Sequence, residues 1–149
     1  MYKEKVMDKI RVLFLCTGNS ARSQMAEAFL RTYGDERFEA FSAGLEPKKV
    51  HPLTIKVMEE LGIDMRGHRS KHLDTYLEWL HFSYVITVCS HADANCPAVF
   101  PGGAKRLHWD FEDPVVFSGP ENKKLEKFRQ VRDLINEQVR KWIGEQINQ

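Results

Sequence analysis

Cys16 and Arg22 bracket five residues in the stretch Cys16-Thr17-Gly18-Asn19-Ser20-Ala21-Arg22-Ser23. A thiol and a guanidinium at that spacing suit the capture of a tetrahedral oxyanion beside a nucleophile. Arg22 offers an anion a planar, two-pronged donor. The loop from Thr17 to Ser23 can curl until several backbone N–H groups face one point, and such nests and helix N-termini bind oxyanions. The same field would lower the pKa of a thiol at the floor of the cup, so Cys16 is expected to be a thiolate at neutral pH. A lone cysteine after a strand is ordinarily a small buried hydrophobe, and a bare Cys-x5-Arg match is weak. Its flanks make it specific. Val12-Leu13-Phe14-Leu15 before it reads as a short buried strand, and Gln24 to Leu30 after it reads as a helix, for which Ser20 is the expected N-cap.

The chain has 149 residues, a net charge of +1 and a hydrophobic fraction of 42%. This fits one domain with a real core, at the usual ~100–200 residues per domain. The charge balance gives no reason to expect nucleic acid or a membrane surface as partner. The N-terminus, Met1 to Lys9, is charged throughout and lacks a signal-peptide core, which points to the cytoplasm. Three cysteines are an odd number for a secreted disulfide scaffold, and in a reducing compartment they point to catalysis or metal binding.

The remaining elements alternate between strand and helix. Phe38 to Ala43 reads as a second strand ending at Gly44. His51-Pro52 opens a helix with Leu53, Val57, Met58 and Leu61 as its apolar stripe and Gly62 as its stop. Arg66 to His72 is basic and reads as a solvated connector, and Leu73 to Leu80 as a short helix. Phe82 to Val88 is a third strand, rich in β-branched and aromatic residues, with Cys89 at its end. Ser90 to Gly103 reads as a loop with at most a short helix, and it carries Cys96-Pro97. Ala104 to Trp109 is a fourth strand, followed by the Asp113-Pro114 loop. Lys123 to Gln146 is a long helix with Leu125, Phe128, Val131, Leu134, Ile135, Val139, Trp142 and Ile143 toward the core. The alternation implies an α/β fold with a parallel sheet and helices on both faces. Ligands bind such sheets beyond the carboxyl ends of the strands, the rim where Cys16, Cys89 and Asp113 all fall.

The segment Cys16 to Glu27 resembles the phosphate-binding loop of the low-molecular-weight protein tyrosine phosphatase superfamily. More closely, it resembles the thioredoxin-coupled arsenate reductases built on that fold. Thr87 to Pro97 and His108 to Pro114 resemble the reductase branch as well, and the likeness runs from about Arg11 to Trp142. The whole chain, 1–149, then reads as a single domain with residues 1–10 as an N-terminal extension. The resemblance implies a four-stranded parallel sheet in the order 2-1-3-4. It makes residues 17–23 (Thr17, Gly18, Asn19, Ser20, Ala21, Arg22, Ser23) the oxyanion cradle and Asp113 the general acid.

It also implies a relay. Cys16 attacks arsenate, Cys89 attacks the adduct and releases arsenite, and Cys96 then takes over the disulfide, which thioredoxin reduces. Adjacent strands ~4.8 Å apart put Cys16 and Cys89 within disulfide reach. Seven residues span at most ~25 Å, so Cys96 can meet Cys89 if the loop refolds. Phosphate and sulfate are expected as competing oxyanions. No cofactor is implied. A zinc site from Cys89, His91, Cys96 and His108 matches no common ligand spacing. Some of these reductases hold a monovalent cation, and Asn19, Glu27 and Ser42 match part of its oxygen set. Arg69 and Lys71 stand where the other donors would be, so a lysine ammonium could occupy that region instead. Two other readings remain: an aryl or tyrosine phosphatase using Cys16, Arg22 and Asp113, and a non-catalytic oxyanion-binding or redox-sensing module. Val115-Val116-Phe117, with no tyrosine after Asp113-Pro114, weakens the first of these.

Overall fold

A computed structural model describes residues 9–77, 81–96, 100 and 103–147. Its strands are β1 (Ile10–Cys16), β2 (Phe38–Gly44), β3 (Tyr84–Thr87) and β4 (Lys105–His108), all parallel, in the order β2-β1-β3-β4. The helices are α1 (Arg22–Tyr33), α2 (Pro52–Glu59), α3 (Asp74–Leu77), α4 (Ser90–Asn95) and α5 (Glu121–Ile147), with a 3-10 turn at Pro114–Val116. This is the expected fold. The first eight residues, most of the proposed extension, lie outside the described residues. No helix among the described residues is long and apolar enough to cross a membrane.

Side-chain alternation along the strands divides the sheet into two faces. Phe14 meets Trp109, and Trp109 meets Trp142 of α5. Ser42, the register partner of Phe14, bonds Glu27 of α1. That face therefore carries α1 and α5, with α2 packed on α5. On the other face Phe41 meets Tyr76 and Phe82 edge-on. Thr87 reaches Asp93 of α4 on that same face, which α3 and α4 cover. The central strand β1 is fully enclosed from Val12 to Leu15, as expected for a parallel strand covered on both sides.

Three expectations need correction. Ser20 is not the N-cap of α1: the helix begins at Arg22, Ala21 stands at the cap, and no side chain caps it. The loop runs one residue further than expected, and Ser20 lines the cup instead. Leu134, expected in the core, is 56% exposed, because α5 buries one stripe through Val131, Ile135 and Val139 and Leu134 lies on its flank. Leu61 is 40% exposed, in the turn that follows α2. The helix expected from Leu73 to Leu80 is described only over Asp74–Leu77, residues 78–80 lying outside the described residues.

Candidate active site

The cup is shaped by what holds its carbonyls. Leu45 N donates to Cys16 O (3.2 Å), Glu46 N to Thr17 O (2.8 Å), Lys48 N to Gly18 O (2.8 Å) and His51 N to Ser20 O (3.0 Å). Thr54 Oγ1 also donates to Ser20 O, and Ser70 Oγ donates to Asn19 O at 2.7 Å. The C=O and following N–H of a trans peptide point opposite ways. Tying these carbonyls outward therefore turns the N–H groups of residues 17–21 inward. Buried backbone groups must be paired, and here the pairing also aims the donors. The segment between β2 and α2 supplies most of those donors, a role its residue types did not announce.

Gly44 makes the close approach possible. A Cβ there would sit 2.6 Å from Thr17 O and 3.0 Å from Asn19 N. Asn19 takes a left-handed φ of 50°, which asparagine tolerates better than most residues. Its side chain is fully buried. Asn19 Nδ2 donates to Ser23 Oγ, and Asn19 Oδ1 accepts from Lys71 N and Gln24 Nε2.

Cys16 is 2% exposed. Its Sγ lies 2.7 Å from Ser23 Oγ and accepts from Asn19 N at 3.1 Å. Because Asn19 donates to Ser23 Oγ, the Ser23 hydroxyl proton is free to point at the sulfur. Burial pushes the Cys16 thiol up, while the Ser23 hydrogen bonds, Asn19 N–H and the Arg22 charge pull it down. Burial thus opposes the depression expected from the donors of the cup. The thiolate fraction therefore grows as pH rises, and Ser23 is the largest single influence favouring it. Ser23→Ala is expected to move the pH profile of Cys16 alkylation to higher pH. It should also slow turnover at pH 7 about tenfold, the worth of a charge-assisted hydrogen bond of ~1.5 kcal/mol. An unchanged profile would remove Ser23 from that role.

Arg22 Nη1 donates to Phe111 O (3.0 Å), and its Nη2 lies 3.3 Å from Asp113 Oδ2. Asp113 Oδ1 accepts from Val115 N at the start of the 3-10 turn. The guanidinium is thus held at the mouth of the cup by the residue expected to be the acid. A cavity of about 420 Å³ opens over Cys16, with Arg22, Lys48, Cys89, Asp113 and Val116 on its walls.

Cys89 is 4% exposed and caps α4, its Sγ accepting from Ala92 N and lying 3.4 Å from Thr17 Oγ1. Thr17 is the first residue after Cys16, so the structure brings Cys89 to the cup. Cys96 is half-buried at the other end of α4. Burial pushes its thiol up, Arg106 pulling down and Asp93 pushing up. At ~1.5 Å per residue, the helix holds the two cysteines ~10 Å apart along its axis, beyond the roughly 4.4–6.8 Å of a disulfide. All three thiols are free. No cluster of metal-ligating residues occurs among the described residues.

The basic segment at 66–72 is no solvated connector. Ser70 and Lys71 bond the cup through Asn19, and Gln24 Nε2 donates to Arg69 O at 2.9 Å. Glu27, buried behind the loop, accepts from Ser42 Oγ (2.6 Å) and pairs with Arg31 (2.9 Å), His68 (3.6 Å) and Lys71 (4.0 Å). Lys71 Nζ also donates to Arg69 O at 2.7 Å. The oxygens that would hold a monovalent cation are taken by these donors, so the residues present do not fit one. Replacing potassium by choline at equal ionic strength is expected to leave turnover unchanged; several-fold stimulation by potassium would contradict this.

Residues 11–149 match the model of the low molecular weight phosphotyrosine protein phosphatase family. An arsenate reductase of Halalkalibacterium halodurans is 40% identical over 134 residues, covering 90% of this chain and 95% of that protein. A solved arsenate reductase in its oxidized state superposes with a TM-score of 0.76 at 36% identity, covering 91% of this chain and 97% of that one. A thioredoxin-dependent arsenate reductase of Corynebacterium glutamicum gives 0.72 at 28% identity, over 95% of this chain and 64% of that one. On the family match, the sheet order and the loop after β1, the chain belongs to the low molecular weight phosphotyrosine protein phosphatase family.

Proposed function

We propose that this protein reduces arsenate to arsenite through Cys16, Cys89 and Cys96, and that a thioredoxin-type dithiol regenerates it. The observation that carries the reading is the position of Cys89. Its sulfur lies against Thr17 at the edge of the Cys16 cup, with a third thiol at the far end of the same short helix. The arsenate reductases among its relatives support the reaction, and the thioredoxin-dependent one supports the reductant.

The inward N–H groups and Arg22 hold the arsenate oxygens. The Cys16 thiolate bonds to arsenic as an arsenic–oxygen bond breaks, and Asp113 protonates the departing oxygen, which leaves as water. A positioned acid of this kind contributes ~10²–10⁴-fold. Cys89 then attacks the Cys16 sulfur. The electron pair of the sulfur–arsenic bond passes to arsenic, which leaves as arsenite, and Cys16 and Cys89 are oxidised to a disulfide. Cys96 attacks Cys89, frees Cys16 as the leaving thiolate and carries the disulfide to α4, where exchange with a dithiol closes the cycle. Phosphate and sulfate occupy the same cup as competitors and accept no electrons.

The family membership and the Cys16, Arg22 and Asp113 set favour a second, weaker activity, hydrolysis of aryl phosphates. Val115 and Val116, the latter 75% exposed, stand after Asp113-Pro114 and offer no aromatic face for a substrate ring. Arsenate-dependent NADPH consumption in the presence of thioredoxin and its reductase tests the main reading. Its absence, with aryl phosphate hydrolysis retained, would turn the assignment to the phosphatase.

A further inference from the structure

The edge strand carries polar residues on one face that no step above uses. Arg106 and His108 alternate along β4, and their register partners Val85 and Thr87 share their face with α4. Asp110 continues the alternation just beyond the strand. Arg106 Nη2 donates to Asp93 O and, at 3.2 Å, to Asp93 Oδ1. Thr87 Oγ1 lies 3.0 Å from Asp93 Oδ1 and 2.8 Å from His108 Nδ1. A hydroxyl has one proton, and the carboxylate is the stronger acceptor, so His108 Nδ1 is the donor of the second bond. Ser90 Oγ donates to Asp110 Oδ1 at 3.4 Å, a weak contact at the first turn. The bonds to Asp93 and Ser90 run to α4, the six-residue helix between Cys89 and Cys96, and His108 reaches it through Thr87.

We propose that Arg106, His108 and Asp110, acting with Thr87 on Asp93 and Ser90, form a polar latch that keeps α4 wound, and that releasing it sets the rate at which Cys96 reaches Cys89. This rests on the cysteine relay proposed above. While α4 is wound, its axial span forbids the Cys89–Cys96 bond, so the ties to Asp93 must yield before the second exchange. The first exchange, between Cys16 and Cys89, needs no such change, because Cys89 is already beside Thr17. The latch residues are therefore positioning residues for one step of the cycle only.

The test is a single turnover of the full chain. Reduced protein is mixed with arsenate without thioredoxin, quenched by alkylation at set times, and its disulfides are mapped. Amide exchange of residues 90–96 is measured on the reduced protein. In Thr87→Val and Asp93→Asn alike, exchange in α4 should rise. Conversion of Cys16–Cys89 to Cys89–Cys96 should quicken about fivefold, the worth of one ordinary hydrogen bond, while the arsenite burst keeps its wild-type rate. Asp93→Asn removes a charge near Cys96 and Thr87→Val removes none. Acceleration in Asp93→Asn alone would thus be a charge effect and overturn the latch. Unchanged exchange in α4, or an unchanged Cys16–Cys89 lifetime in both variants, overturns it as well. A wild type that never forms Cys89–Cys96 would remove the relay, and with it the latch's part in catalysis; exchange in α4 would still decide whether the contacts hold the helix.

Discussion

Cys16→Ser is expected to abolish both arsenate reduction and aryl phosphate hydrolysis, by on the order of 10³-fold or more. An alcohol is not ionised at neutral pH, and neither the N–H groups of the cup nor Arg22 can make it so. The substitution keeps the size of a side chain that is 2% exposed and keeps a partner for Ser23. The fold should survive, and near-native thermal unfolding is the control. Arg22→Lys should be severely impaired as well, since a point charge cannot replace a fork that reaches both Phe111 O and Asp113. Substantial turnover by Cys16→Ser in either assay would falsify the whole assignment of the cup.

Cys89→Ala separates the two chemistries. The carbonyl ties of the cup and the Asp113–Arg22 pair do not involve Cys89, so aryl phosphate hydrolysis should stay within a small factor of wild type. Repeated arsenate reduction should be lost, because the electron pair of the sulfur–arsenic bond then has no second thiol to release it. Arsenite production and p-nitrophenyl phosphate hydrolysis on one preparation decide the point. Reduction continuing near the wild-type rate would mean that electrons reach arsenic by another path.

Much of this was legible in the chain. The runs at Val12–Leu15 and Phe82–Val88 marked buried strands, and the punctuation at Gly34, Gly44 and Pro52 marked where elements end. That placed Cys16, Cys89 and Asp113 on one rim. What stayed hidden depends on the backbone. Leu45, Glu46, Lys48 and His51 hold the cup through main-chain N–H groups, which every residue but proline has, so their types say nothing. The segment at 66–72 looked solvated because its side chains are charged, yet it grips Asn19 through Ser70 Oγ and Lys71 N. Leu134 was misplaced because helical spacing fixes a stripe but not its width. The burial of Cys16, which opposes its ionisation, stayed hidden because spacing reports donors and not the depth at which they sit.

The outward carbonyls give the cup a single electrical sign: the positive ends of several peptide dipoles face in, and the negative ends are spent on Leu45 to His51 and their neighbours. Arsenate is an anion at neutral pH, whereas arsenous acid is uncharged. Under the proposed reaction, reduction itself cancels the attraction that held the substrate, since dipole–anion stabilisation needs a net charge to act on. Release then requires no exit device, and accumulated product should inhibit far less than phosphate at equal concentration. The geometry that loads the site is thereby indifferent to what it makes.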